Sequence, residues 1–362
     1  MRAARALPIA ALLLTATGCQ PADQTPTATT AGAPTGVTIA DCAGGAPPIR
    51  AGAADATVYS GHHAAVTDVA FAPDGATVLS AGDDGFGRVW TAATGTDVSQ
   101  HRIARYPTAV AWSPNGVCAA SADSSGLVMV WSVADGQELV RLTGHRDRVY
   151  GLAWSPDGTS LASGSWDGQE IGWNHATGLK AYTYLSAGGV GHLAWSGDRL
   201  ALATATGDVV VLNGTDGTVA RTVHVTDAPL WSLAWSPDGA TIAAGVGEYG
   251  PSTGGPYGVY LVDPGTGQVT GNITPLTGPV WSLAYAPDGQ RLAAAGGAFA
   301  GLHPPAAYAD YRVAVTTVAS GQTAYIGTHT DSVWAVSWAP DGAVLAAASQ
   351  DGTISLTPMS VA

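Results

Sequence analysis

"TGHRDRVYGLAWSPDGTSLASGSWDGQEIGW", residues 143–173, decides how the chain is read. It carries His145, Ser163 and Asp167, the residue types of a hydrolytic triad. "VYGLAW" alternates as a strand, "SPDG" supplies a tight turn, and "TSLASGS" alternates again. "DG" makes the next turn, "QEIGW" is a third strand, and "ATG" turns into a fourth, "KAYTYL". The stretch is most of one four-stranded antiparallel unit. Its triad-like residues either perform chemistry or hold those strands together.

The unit recurs. The aromatic that ends each first strand falls at Phe71, Trp112, Trp154, Trp195, Trp235, Tyr285 and Trp338, with spacings of 41, 42, 41, 40, 50 and 53. A period near 40 with several short strands per repeat is the signature of a β-propeller blade. The prediction is an all-β, seven-bladed β-propeller of four-stranded blades over residues 56–362. The last repeat ends at "ISLTPMSVA", with a third strand and no room for a fourth. "ATVYSGHH" (Ala56 to His63) looks like "LVRLTGHR" (Leu139 to Arg146), so the N-terminal strand is expected to complete blade 7 and close the ring.

The pattern "TGHRDRV…WSPDG…SGSWDG…W" resembles the WD-repeat family over about residues 56 to 362. The Gly-His pair recurs at Gly61-His62 and Gly144-His145, with a looser "GTH" at Gly327 to His329. The turn aspartate recurs at Asp84, Asp167 and Asp351, whereas blades 4, 5 and 6 have lost most of these marks. The resemblance implies a buried hydrogen-bonded brace of His145, Ser163, Asp167 and Trp173 in blade 3. At the same intervals it implies His62, Ser80, Asp84 and Trp90 in blade 1. A nucleophilic serine must face a cleft with oxyanion donors in reach, and a serine between blades does not. Two copies on one ring also suit a brace better than a catalyst. No catalytic residue is assigned and a non-enzyme is expected. No paired histidines with metal spacing, phosphate loop or nucleophile elbow appears, so no metal or cofactor is implied.

Candidate contacts converge on one face. Blades 5 and 6 carry insertions between their second and third strands, "GVGEYGPSTGGPYG" (245–258) and "GGAFAGLHPPAAYADYR" (296–312). These bring Tyr249, Tyr257, Phe299, Tyr308 and Tyr311, and loops on a rigid scaffold are where binding residues concentrate. The resemblance places Thr67, Thr108, Tyr150, Gly191, Trp231, Trp281 and Trp334 at the channel rim, with Trp166 beside them. Two readings stand: the aromatics anchor a partner, or the tryptophans plug the channel mouth. The first implies a protein or peptide of the cell envelope as partner. A rival class is glycan binding or hydrolysis, for which Glu248 and Asp310 are the loop carboxylates.

The chain's beginning sets the expected location. In "MRAARALPIAALLLTATGCQ", Arg2 and Arg5 precede an apolar core at residues 6–16, too short to span a bilayer. Ala16-Thr17-Gly18-Cys19 resembles a bacterial lipobox, departing from it at Ala16, where leucine is preferred. That resemblance implies a signal peptide over 1–18 and acylation of Cys19, with chains such as palmitate anchoring the protein outside the cytoplasmic membrane. Residues 19–55, rich in Pro, Thr, Ala and Gly, read as a disordered tether reaching on the order of 30 Å. Cys42 and Cys118 either bridge or remain free thiols. A net charge of −13, with Lys180 as the single lysine, argues against nucleic acid. The expectation is a monomeric ring that touches the membrane only through its lipid.

Overall fold

The computed structural model describes residues 37–49, 57–103, 106–247, 257–297, 311–327 and 329–359. Their strands form seven separate four-stranded antiparallel sheets. Blades 1 to 6 take residues 66–102, 107–142, 149–185, 190–224, 230–273 and 280–326, with strands a to d running outward from the axis. Blade 7 takes three strands from residues 333–358 and Thr57–Tyr59 as its fourth. That closing strand pairs through Thr57↔Leu356, Val58↔Ser355 and Tyr59↔Ile354. Tyr59 also stacks flat on Trp90 at 4.1 Å and donates its hydroxyl hydrogen to Asp97, gripping blade 1. The architecture is the all-β, seven-bladed propeller that the repeat predicts, closed by its N-terminal strand.

Position across a blade sets composition. The second strands lie between two blade faces, so Cys118–Asp123 and Val344–Ser349 are buried at every position, and half of each strand is alanine. The fourth strands form the outer edge, and Leu179–Leu185 merely alternates between exposed and half-buried. The "PDG" turns join first to second strands. Gly158 there has φ +72°, and an added Cβ would press on the backbone of Ala43 and Gly44.

Each sheet's ladder ends within its own blade, so the seven seams between blades need other bonds. Indole N–H groups supply four, each donating to the preceding blade: Trp112 to Ala70 O (3.0 Å), Trp195 to Ala153 O (3.1 Å), Trp235 to Ala194 O (2.9 Å) and Trp338 to Ala284 O (3.0 Å). Polar side chains of the inner strands stitch the rest. Asp68 accepts from Val110 N, Thr108 donates to Val149 O and Ser232 to Val280 O, while Ser282 accepts from Val336 N and Ser337 from Phe71 N. Every seam thus holds at least one side-chain-to-backbone bond. The indole N–H of Trp154, at the seam of blades 2 and 3, is buried without a partner.

That seam has a different fastening. Residues 37–49 are a folded strap rather than part of a disordered tether, which corrects the reading of 19–55 over these positions. Ile39–Cys42 is a short 3-10 turn, and Cys42 is fully buried in a disulfide with Cys118. Asn115 of blade 2 donates to Asp41 O and Ala43 O, at 2.7 and 2.8 Å, and Gly44 N donates to Asp157 O of blade 3. Val37 and Ile39 pack on the core formed by Val130, Val140, Trp154 and Trp173. The sequence missed the strap because its Gly, Ala and Pro content mimics a linker.

One buried carboxyl interrupts this apolar packing. Glu170, on the third strand of blade 3, is fully buried, and neither carboxylate oxygen has a hydrogen-bond partner. Burial pushes its carboxyl up to about 8, and the nearby Tyr182 hydroxyl offsets little of that. The folded protein holds a proton that the unfolded chain releases near the ordinary value of 4.5. Stability therefore declines as pH rises above about 4.5 and levels off above about 8. Glu170→Gln is expected to gain melting temperature relative to wild type as pH rises from 5 to 9. A difference that does not change with pH contradicts this assignment.

Candidate functional site

The channel mouth is built by a repeated defect. In blades 1 to 3 and 5 to 7 the a-to-b pairing skips one residue: Thr67, Thr108, Tyr150, Trp231, Trp281 and Trp334. In blade 4 the skip takes both Gly191 and His192. These are the rim positions expected from the family, and a β-bulge is what re-aims a side chain in this way. Blades 1 and 2 turn their rim threonines onto backbone carbonyls, Thr67 to Ala81 O and Thr108 to Val149 O.

The other side of the mouth is aromatic. Tyr150, Trp166 and Trp231 touch one another, with centroids 6.3, 5.0 and 5.0 Å apart. Trp231 meets Trp281 edge-on at 5.7 Å, and Trp281 meets Trp334 at 5.4 Å. The arc runs from blade 3 to blade 7 across blade 4 because blade 4 offers only glycine. A Cβ on Gly189 would strike the Trp166 ring, and one on Gly191 would strike Trp231 O. Trp334 N–H donates to Gln350 at 3.2 Å.

Burial divides the arc. Trp231 is 4% exposed and Trp281 1%. Both rings are packed inside the arc and expose little surface, against the expectation that each presents a face to a partner. Tyr150, Trp166 and Trp334 remain half-buried, as are Tyr257 and Tyr311 at the described ends of the two insertions. Tyr249, Phe299 and Tyr308, with Glu248 and Asp310, lie outside the described residues.

The triad-like residues come together below this face. His145 Nδ1 lies 3.3 Å from Asp167, its Nε2 lies 2.8 Å from Ser163 Oγ, and Trp173 donates to the same oxygen at 2.8 Å. In blade 1 the corresponding distances for His62, Asp84, Ser80 and Trp90 are 3.1, 2.8 and 3.1 Å. One assignment satisfies every atom. Nδ1–H donates to the carboxylate, the serine hydroxyl donates to Nε2, and the indole donates to the serine. Burial pushes the His62 imidazole below its usual value, against the pull of Asp84, which favours this neutral form. Burial alone would raise the Asp167 carboxyl, but hydrogen bonds from His145, Arg146 N and Gln169 N outweigh it and hold it at about 2. Ser80 and Ser163 are fully buried, so no substrate carbonyl reaches either hydroxyl. The arrangement can brace and cannot acylate.

Two variants of the brace escaped the sequence reading. In blade 7, His329 meets Asp351 at 3.1 Å, but its serine partner is Ser355, at 2.9 Å. The usual serine position holds Ala347, which pairs directly with Ser355, so the hydroxyl has crossed to the adjacent strand. In blade 2, Ile103 and Ser125 stand at the histidine and aspartate spacings, and Ser121 Oγ and Trp131 Nε1 are buried without partners. His101 stacks on Trp131 at 5.3 Å instead.

Other perturbed groups do not assemble a reactive centre. Burial raises Asp68 to about 7, against hydrogen bonds from Val110 N and Val69 N, and the first of these stitches a seam. Burial lowers His192, on blade 4, to about 4. Among the described residues no group of three His, Cys, Asp or Glu side chains could hold a metal ion.

Asp167→Ala strands buried partners, so it is expected to cost roughly 1–3 kcal/mol. Since the carboxyl's low value stabilises above about pH 4 and is lost toward about 2, the variant should also flatten wild type's acid limb in that window. An unchanged melting curve contradicts the brace. Transplanting the blade 3 set into blade 2, as Ile103→His with Asp123→Ser and Ser125→Asp, is expected to raise the melting temperature. A lowered one would show that blade 2 is packed around its isoleucine.

The chain matches the family described as "WD domain, G-beta repeat" over residues 55–91, 98–132, 136–169, 217–249, 268–298 and 321–356. A comparison with curated proteins finds no match to the chain. The unmatched stretch 170–216 holds the end of blade 3 and most of blade 4, together with Gly189 and Gly191, which clear the arc. The matched repeats span more than half of the sequence, and the chain belongs to the WD-repeat family.

Proposed function

We propose that the protein is a lipid-anchored, non-enzymatic scaffold displayed outside the cytoplasmic membrane, which captures a protein or peptide of the cell envelope at its aromatic mouth. WD-repeat propellers in general serve as protein-binding scaffolds. The observation that carries the finer reading is the one-sided arc: aromatic side chains on blades 3, 5, 6 and 7, glycine on blade 4, and threonines on blades 1 and 2. Half-buried Tyr150, Trp166 and Trp334 offer large contact area at little cost in rotamer entropy.

The Cys42–Cys118 disulfide supports an oxidising location, and the sequence of residues 1–19 supports export and acylation. Geometry supports display. The strap docks on the a–b turns of blades 2 and 3, through Asn115 and Asp157, at the opposite ends of the inner strands from the rim bulges. Residues 20–36, the leash that would join a lipid at Cys19 to the strap, would hold that turn face toward the bilayer. The aromatic mouth would then face away from it.

Two experiments test this reading. Cys19→Ser should move the protein from the membrane to the soluble fraction, and a variant that stays membrane-bound contradicts the anchor. Crosslinked capture from the source cell envelope should weaken about thirtyfold or more when Tyr150, Trp166 and Trp334 are changed to alanine, with little change in melting temperature. Trp281→Ala, by contrast, should cost roughly 3–5 kcal/mol of stability through the cavity it leaves. Undiminished capture by the triple variant, or a glycan as the captured species, overturns the proposal.

A further inference from the structure

The strap lies between the leash and the weakest link of the ring. Residues 20–36 lead into it, and the closing strand Thr57–Tyr59 follows only after residues 43–56. That strand holds blade 7 by three residue pairs, its middle residue Val58 is 66% exposed, and its main side-chain anchor is Tyr59. A short edge strand pulled from one end opens pair by pair. Any tension reaching it would open the ring where blade 7 takes its fourth strand from the other end of the chain.

Cys42 meets that tension first. Its disulfide leads to Cys118, a buried residue at the start of the second strand of blade 2. Cys118 is flanked in the ladder by Ser132, and its N–H donates to Ser113 Oγ at 2.9 Å. Around the sulfurs, Asn115 holds two strap carbonyls and Gly44 N reaches blade 3. The fastening bridges the seam where Trp154 lacks the indole bond made at four others.

We propose that the Cys42–Cys118 disulfide and the strap it secures form a tension clasp, which diverts pull on the N-terminal leash into blade 2 and keeps it off the strand that closes the ring. The biological source of that pull rests on the lipid-anchor reading, whereas the clasp itself does not. Residues 43–56 are shielded inside a covalent loop, so the closing strand experiences only thermal fluctuation while the disulfide holds. Reduction would transfer the same pull directly to Thr57.

Magnetic tweezers test this on the soluble chain starting at residue 20. One handle is placed at the N-terminus and the other at an azide-bearing residue substituted for exposed Thr215, in an outer turn of blade 4. The oxidised protein is expected to show no early extension step. The Cys42→Ser/Cys118→Ser variant is expected to release residues 43–61 at low force, a step of at most about 65 Å, before the His62 brace takes the load. If the double variant does not fold, the oxidised wild type reduced by dithiothreitol under tension should acquire the same step. A first step of equal size and force with and without the disulfide overturns the clasp, whatever the outcome of Cys19→Ser fractionation.

Discussion

The bond from an inner-strand side chain to the backbone of the neighbouring blade is what the molecule depends on. Seven sheets in a ring meet at seven seams, and among the described residues no backbone ladder crosses any of them. Apolar burial between blades supplies most of the driving force, but it is non-directional and fixes neither blade number nor register. The indole N–H groups of Trp112, Trp195, Trp235 and Trp338, with Asp68, Thr108, Ser232, Ser282 and Ser337, supply that direction. They also explain why the strand-ending aromatic is mostly tryptophan: it buries area and carries a donor at its far end. Two further pairings share this logic, with Arg199 over Trp235 at 4.8 Å and Arg291 over Trp338 at 4.7 Å, each arginine sitting on the preceding blade.

With the ring held this way, its two faces differ. The turn face is closed by "PDG" turns and the disulfide-bound strap. The opposite face carries the bulges, and in every blade but the fourth the bulge sets one side chain at the rim. The braces stand just below, tying the loop before the first strand to the turn after the second. A rigid support beneath mobile-sized side chains is what a recognition surface needs, because contacts then form without a large ordering cost. The same rigidity explains why a serine, histidine and aspartate in hydrogen-bonded sequence do no chemistry here. The hydroxyl already donates to the imidazole and accepts from an indole, and no solvent reaches it.

Much of this was legible in the sequence. The period of the strand-ending aromatics gives the blade count, and the likeness of Ala56–His63 to Leu139–Arg146 gives the closure. The blade 1 and blade 3 constellations follow from fixed intervals. What escaped reading lies where partners are distant in sequence. Ser355 serves His329 only through cross-strand register, which a search at fixed spacing misses. The depth of Trp231 and Trp281 depends on neighbouring rings and on glycines in blade 4, not on either residue's own context. Cys42 sits in a linker-like composition, and only the fold brings it to Cys118, 76 residues away.

The central claim is that one face of a structurally braced ring recognises a partner through its accessible aromatics. Fluorine NMR of protein labelled with 5-fluorotryptophan addresses it residue by residue, because the chain's 12 tryptophans divide among mouth, seams and braces. On addition of the partner captured from the envelope, the resonances of Trp166 and Trp334 are expected to shift. Those of Trp90 and Trp173 in the braces, and of Trp112, Trp195, Trp235 and Trp338 in the seams, should stay in place. Shifts confined to the seam tryptophans would put the partner on the turn face and contradict the account.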